Sequence, residues 1–350
     1  MMMRLLSGDA PRSRLLALLL ALILLALAFA PFLFPGSRSL ETAARICVVI
    51  VLVASYDLLL GYGGIVSFAH TMFFGMGAYG VAIASDRLGT GYASLALGAL
   101  AGLVVAGLVA LLVALLSLRV RAIFFAMITL AIASAVAVLV SQLSAYTGGE
   151  DGMNLRIPRE LTPAFRLGEV FGTRITGKIL NYYLVFAGCL VLFLGMLRIV
   201  NSPFGRVLLA IRENAFRAEA IGYRVVVYRA VATCLSAMIA ALAGSLFAIW
   251  LRYVGPSTTL GMELMMDILL IVVIGGMGTM YGAVVGTAIF VLAQNYLKEL
   301  MGGLSEATAS LPLIPDLLSP DRWLLWLGVL FILSVYFFPT GIVGRLRGTR

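Results

Sequence analysis

Three ionisable side chains lie inside long apolar runs, and they are the first candidates for chemistry: Asp57, His70 and Asp267. Arg45 and Glu263 sit near the ends of such runs. An ionisable group at membrane depth is costly and normally faces a cavity or a partner. A carboxylate and the chain's only histidine could relay a proton beside a solute path. Each also has a plainer reading, Asp57 as an interfacial residue near a helix end and His70 as an imidazole packed and hydrogen-bonded to a neighbouring helix. No enzyme constellation accompanies them. The single Gly177-Lys178 pair is followed by Ile179 and lacks the glycine-rich run of a phosphate-binding loop. No GxSxG, HExxH or paired-carboxylate motif occupies a plausible site, so the chain is not expected to be an enzyme. Cys47, Cys189 and Cys234 lie in apolar runs without CxxC spacing, and are expected to act as small hydrophobes, with no disulfide and no metal.

The elements that must hold these groups follow from composition. The 350 residues are 62% hydrophobic and only 12% charged, and mean hydropathy is +1.08. Soluble domains carry about 25% charged residues. Runs such as "LLALLLALILLALAFAPFLF" (Leu15 to Phe34) reach the roughly 20 residues that cross a bilayer core. The expected fold is an all-α, polytopic membrane protein, a single transmembrane domain over residues 1–350, since a barrel would read as short alternating strands. About ten crossings are expected, near 14–34, 42–60, 65–85, 92–118, 122–142, 180–199, 230–252, 262–277, 279–298 and 323–338. Arg4, Arg12 and Arg14 before an apolar run, and "AFA" at Ala28 to Ala30, resemble a signal peptide. Pro31 after that site and the length of the run favour an uncleaved first helix.

The net charge of +9 does not point to nucleic acid, because the basic residues fall between spans and read as orientation signals. With the N-terminus inside, the inner segments carry Arg4, Arg12, Arg14, Arg119 and Arg121, then Arg198, Arg206, Arg212, Arg217, Arg224 and Arg229. The tail adds Arg345, Arg347 and Arg350. Outside, Glu299, Glu306, Asp316 and Asp321 outweigh Lys298 and Arg322. Both termini are therefore expected in the cytoplasm. The outer loop 143–179 is turn-rich ("TGGEDGMN") and suits a surface cap. The inner loop 200–229 opens on Ser202-Pro203, a helix-start signal, and Gly222 is a plausible stop. Phe204, Val207, Leu208, Ile211, Ala215 and Ala218 recur at helical spacing, with Arg206, Arg212, Glu213, Arg217 and Glu219 around them. Such a helix either lies on anionic lipid or docks a cytoplasmic partner.

Glycines cluster beside the ionisable groups. "GYGGIVSFAHTMFFGMGAYG" (Gly61 to Gly80) holds six of them, and Gly278, Gly282 and Gly286 repeat at every fourth position. Gly98 and Gly102 form another such pair, and small residues at this spacing let helices pack closely. "YDLLLGYGG" and "MDILLIVVIGG" share an Asp-x-Leu-Leu start and a Gly-Gly end. That echo is compatible with a duplicated transporter core built on interrupted helices.

These stretches resemble a known family, the LivM-like permease subunit of the branched-chain amino acid type of ABC importer. The likeness rests on "YDLLLGYGGIVSFAHTMFFGMGAYG" (56–80), "TGGEDGMN" (147–154), "GRVLLAIRENAFRAEAIGYRVVVYRAVATCLSAMIAALAGSLFA" (205–248) and "DILLIVVIGGMGTMYGAVVGTAIF" (267–290). The tail "FFPTGIVGRLR" (337–347) also fits. The resemblance implies a bacterial inner-membrane permease that pairs with a LivH-like second permease. It implies a periplasmic solute-binding protein that delivers the small-molecule solute, and two cytoplasmic ATPase subunits that bind the ATP; no cofactor is expected in this chain. It places Ile211, Arg212, Glu213, Asn214, Ala215, Phe216, Arg217, Ala218, Glu219 and Gly222 in the ATPase-coupling loop. It sets Asp57, Gly61, Gly63, Gly64, Ser67, His70, Asp267, Gly275, Gly276 and Gly278 beside the translocation path. Two positions depart from the family pattern, Asp57 where Asn is common and Ala69 where Gly is common. The alternatives are a urea, small-amide or aromatic-carboxylate permease of the same build, and a proton-coupled secondary transporter.

Overall fold

The computed structural model describes residues 13–33, 36–117, 122–170, 173–307, 319–337 and 341–346. Arg4, Arg12, Arg119, Arg121, Arg347, Arg350 and Asp316, which entered the orientation argument, lie outside them. Seven helical stretches among the described residues are long and apolar enough to cross a bilayer. The chain is thus an all-α, multi-pass membrane protein in its main body.

The helices used below are α1 (Arg14–Ala28), α2 (Ser37–Asp57), α3 (His70–Leu88), α4 (Tyr92–Ser117), α5 (Ala122–Gln142), α6 (Gly177–Val200), α7 (Pro203–Glu213), α8 (Ala215–Ala220), α9 (Val225–Leu251), α10 (Met262–Gly275), α11 (Met280–Ala307), α12 (Trp323–Phe337) and α13 (Gly341–Leu346). The expected first crossing is not one helix. α1 stops at Ala28, Phe29 leaves the helix, and a separate turn runs Ala30–Leu33. Pro31 has no N–H to continue the ladder, which accounts for the break. α1 and α12 have 15 residues each, so they are shorter than the seven apolar stretches of 18 residues or more. The expected span 65–85 also starts later, because helix begins only at His70 and residues 64–69 are not helical.

α2 is the axis of the molecule. From Leu40 to Asp57 nearly every side chain is buried, as expected of a helix that is apolar all round. α6, α9, α10 and α11 pack around it. α3 is almost as enclosed, held between α4 and α9. α4 and α5 turn Leu97, Leu100, Leu108, Leu112, Ile123 and Met127 outward. In a membrane chain that surface meets lipid tails or another apolar span.

Strands appear where none were expected. Met153–Asn154 (β1) pairs antiparallel with Tyr253–Val254 (β4), while Arg166–Val170 (β2) and Thr173–Thr176 (β3) form a hairpin. The β1–β4 pair fastens the 143–179 loop to the end of α9. Leu155 N–H donates to the Arg252 carbonyl at 2.8 Å, and the Tyr253 hydroxyl donates to the Asp151 carbonyl at 2.9 Å. Leu155, Ile157, Leu161 and Val254 bury together beneath it. The loop is therefore a folded cap, built from the turn-rich sequence that marked it.

Candidate functional site

Both Gly-Gly signatures end a helix, and the two ends meet. α2 finishes in a π-turn at Leu58–Tyr62, followed by Gly63 and Gly64. α10 finishes at Gly275, and α11 does not start until Met280. In the gap Gly278 has φ +79°, a left-handed conformation that favours glycine. Gly278 therefore belongs to the turn, and not to the helical every-fourth-residue glycine series expected for it. Its N–H donates to both carboxylate oxygens of Asp57, at 2.9 and 3.2 Å. Arg212, at the end of α7, donates from Nη1 to the Gly61 carbonyl and packs its aliphatic stem on Gly64, with its charge acting on Asp57. A side chain at Gly61 would collide with the Asp57 carboxylate and the Gly278 backbone. One buried carboxylate thus joins two helix breaks to the helix of the 200–229 loop. The sequence echo hinted at the two breaks, but nothing in it foretold the Arg212 contact.

His70 and Ser67 lie in the next layer. His70, 1% exposed, begins α3, and its Nε2 is 2.8 Å from Ser55 Oγ in α2. The Ser55 hydroxyl also lies 2.7 Å from the Leu52 carbonyl, to which it donates. The Tyr56 ring meets the imidazole edge-on at 5.2 Å. Ser67 Oγ accepts from Ala69 N–H at 3.3 Å, and Phe68 N–H donates to Thr129 Oγ1 of α5 at 3.1 Å. His70 and the Phe68 N–H thus tie the segment between α2 and α3 to α2 and α5. This geometry fits the packing reading of His70. His70→Gln, which keeps a hydrogen-bond partner for Ser55, is expected to transport normally from acidic to alkaline pH. Lowered uptake in the variant, or a pH dependence of wild type that the variant loses, would assign the imidazole to the path instead.

The 200–229 loop departs from the single helix expected of it. It folds as α7 and α8, divided at Asn214, whose side chain caps α8 by accepting from Arg217 N–H at 2.9 Å. Pro203 is the first residue of α7, as Ser202-Pro203 predicted. Ile211 and Ala218, expected on an apolar docking face, are instead buried with Val225 against the start of α9. Arg212 is turned into the glycine node. What the loop presents outward is Phe216, 82% exposed, and Ile221, 70% exposed, flanked by exposed Glu213, Arg217 and Glu219. Ala215 is half-buried, and Gly222 takes φ +98° at the turn out of α8.

Asp267 is far from Asp57. It lines a cavity of about 500 Å³ with Arg45, Glu41, Glu263, Gln294 and Asn295. This cavity follows α2 from Arg38 to Leu52, which is about 20 Å at 1.5 Å per residue. Its floor at Leu52 and Phe74 lies on the turn that carries Ser55 and His70. At the rim Arg38 pairs with Glu299 and donates to the Asn295 carbonyl, while Asn295 Nδ2 donates to Thr42 Oγ1 at 3.1 Å. The expected path residues therefore divide. Asp57, Gly61, Gly63, Gly64, Gly275, Gly276 and Gly278 belong to the two helix breaks, Ser67 and His70 to the layer above, and Asp267 to the cavity.

A family model described as "Branched-chain amino acid transport system / permease component" matches residues 39–335. Curated relatives cover nearly the same length. The "High-affinity branched-chain amino acid transport system permease protein LivM" of Salmonella typhimurium is 27% identical over 94% of this chain and 75% of its own, and that of Escherichia coli is 26% identical over the same shares. The "Probable branched-chain amino acid transport permease protein LivM" of Methanocaldococcus jannaschii is 27% identical over 83% of this chain and 88% of its own. No solved structure matches. With the match extending from the start of α2 to the last turn of α12, the chain belongs to the branched-chain amino acid transport permease family.

Proposed function

We propose that this chain is a permease subunit of an ATP-driven importer for branched-chain or related amino acids. In this reading it sits in a bacterial inner membrane, in about ten crossings with both termini in the cytoplasm. It pairs with a LivH-like second permease, receives solute from a periplasmic binding protein, and is driven by two cytoplasmic ATPase subunits that bind the ATP. The 143–179 cap then faces the binding protein, and the 200–229 loop faces the ATPases.

The observation that carries the docking role is how that loop spends its apolar residues. A helix lying on lipid immerses a continuous apolar face in the headgroup region. Here Leu208, Ile211 and Ala218 are used inward, which seats the loop on the spans. Phe216 and Ile221 remain as the most exposed apolar side chains of the loop, beside Tyr223, Val226 and Val227 and flanked by Glu213, Arg217 and Glu219, the form of an anchor for a groove on a protein partner. Arg212 then passes movement of that anchor to the two helix breaks.

Two experiments test the reading. In proteoliposomes, uptake of leucine is expected to need ATP and the binding protein, and uptake driven by a proton gradient alone would overturn the importer. A proton relay has little geometric support: Asp57 is held by Gly278 and Arg212, whereas His70 is held by Ser55. Phe216→Glu is expected to lower ATPase co-purification by roughly tenfold or more, as loss of a buried aromatic anchor does. Its stability should be unchanged, because the side chain touches little of the permease itself. Full co-purification of Phe216→Glu, even when combined with Ile221→Glu, would remove docking from these residues.

A further inference from the structure

We infer that the cavity along α2 is where this permease holds an α-amino acid as a zwitterion, with Arg45 taking the carboxylate and Asp267, aided by Glu263, taking the ammonium. The inference rests on the importer reading and adds the site and the chemistry of recognition to it.

The argument begins with charge. The lining carries both signs around one open cleft of about 500 Å³, well inside the roughly 300–1,000 Å³ of small-molecule sites. Not all of these charges are free. Arg38 is engaged by Glu299 and by the Asn295 carbonyl. Arg45 forms no hydrogen bond or ion pair among the described residues, although its charge reaches Asp267. Glu263 and Asp267 stand four residues apart on α10, so they share one face about one turn apart. Glu41 is the third acid of the lining, and the Gln294 amide bonds Asp267. An unengaged guanidinium opposite the two carboxylates of α10 is complementary to a molecule bearing an ammonium beside a carboxylate. A neutral amide such as urea would bring no charge to Arg45 or Glu263, and a carboxylate lacking an amine would bring none to the acids.

The other walls describe the rest of the ligand. From Arg45 to Leu52, about 10 Å along α2, the lining turns apolar, with Val48, Val49, Phe74, Phe247 and Leu264 around it. This gradient from charged to apolar along one helix matches a small amino acid with an aliphatic side chain pointing to the floor. Gln294 completes the polar end. Its amide bonds Asp267, and its side-chain oxygen is buried without a hydrogen-bond partner, an acceptor left over beside the proposed ammonium position.

The test uses the reconstituted importer, this chain with its second permease, ATPase subunits and binding protein, and labelled L-leucine. Asp267→Asn and Arg45→Gln are each expected to lower leucine uptake roughly tenfold or more, the usual scale for losing a charge-assisted contact. Assembly and binding-protein-stimulated ATP hydrolysis should stay near wild type, and Asp267→Glu should restore much of the uptake. Wild-type uptake in both Asp267→Asn and Arg45→Gln would overturn the site while leaving the importer standing. Absence of ATP-dependent leucine uptake by the wild-type importer would overturn the importer reading, and the site with it. If either charge variant fails to assemble, Phe247→Ala decides. A widened wall should shift competition between leucine and phenylalanine towards phenylalanine, and an unchanged ratio would overturn the site.

Discussion

In the assembled importer, Asp57→Ala is expected to cost this permease about 1–3 kcal/mol of stability and to leave the ATPase subunits hydrolysing ATP without solute being moved. The carboxylate is buried and accepts the Gly278 N–H at 2.9 and 3.2 Å. Deleting it leaves that N–H without a partner, which costs about 1–3 kcal/mol. It also removes a charge that acts on Arg212, but that side chain is exposed and bonds the Gly61 carbonyl, so this part of the loss is small. Asp57→Asn keeps an acceptor for Gly278 and should lose only about 1 kcal/mol. Thermal unfolding of the purified complex and the ratio of solute moved to ATP hydrolysed check both. Arg212→Ala should add little to Asp57→Ala, because the two act through one contact set. Strictly additive losses, or an Asp57→Ala protein that melts with wild type, would show that the node holds nothing.

Gly77→Val is expected to prevent folding outright, and Gly77→Ala to cost about 3 kcal/mol or more, the upper end for overpacking a close-packed contact. A Cβ at Gly77 would overlap the Ala241 backbone carbonyl of α9, and Gly102 of α4 closes from another side. Neither obstacle is the end of a flexible side chain, so the helices would have to part. Ser245 Oγ also donates to the Gly77 carbonyl at 3.1 Å, a bond that separation would break. Gly195 is the control. It lies in α6 with nothing within 4 Å of an added Cβ, so Gly195→Ala should stabilise by about 0.5–1 kcal/mol. Expression and thermal unfolding of the three variants side by side would settle it. Equal behaviour of Gly77→Ala and Gly195→Ala would mean that α3 and α9 are not in intimate contact.

What was legible beforehand divides along physical lines. Long apolar runs declare membrane helices because nothing else tolerates them, and the seven strongest stretches emerge as helices near their expected limits. The packing role of Gly98 and Gly102 was also readable, since small residues at that spacing have few other uses. The four-residue β1–β4 pairing was not, because its partners lie a hundred residues apart and each strand has two residues. The split at Asn214 hid behind unbroken helical spacing, for a cap reads as an ordinary polar residue until its backbone is seen. The apolar stripe of the 200–229 loop was visible, but whether it turned inward or outward depended on where α9 begins. Asp267 appeared as the twin of Asp57 through the local echo, whereas position along the neighbouring helices puts it on a cavity.

α2 carries the wall of that cavity and, a few residues on, the carboxylate that receives the coupling loop through Gly278 and Arg212. If the cavity holds solute and the 200–229 loop docks the ATPases as proposed, a rigid element shared by the two sites links them thermodynamically. Whatever factor ATPase engagement imposes on solute affinity, bound solute must impose on ATPase engagement, because the coupling free energy belongs to the pair of sites and not to either one. Solute release and ATPase rearrangement are then two readings of a single equilibrium. The stiffness of one helix sets how much of it is shared.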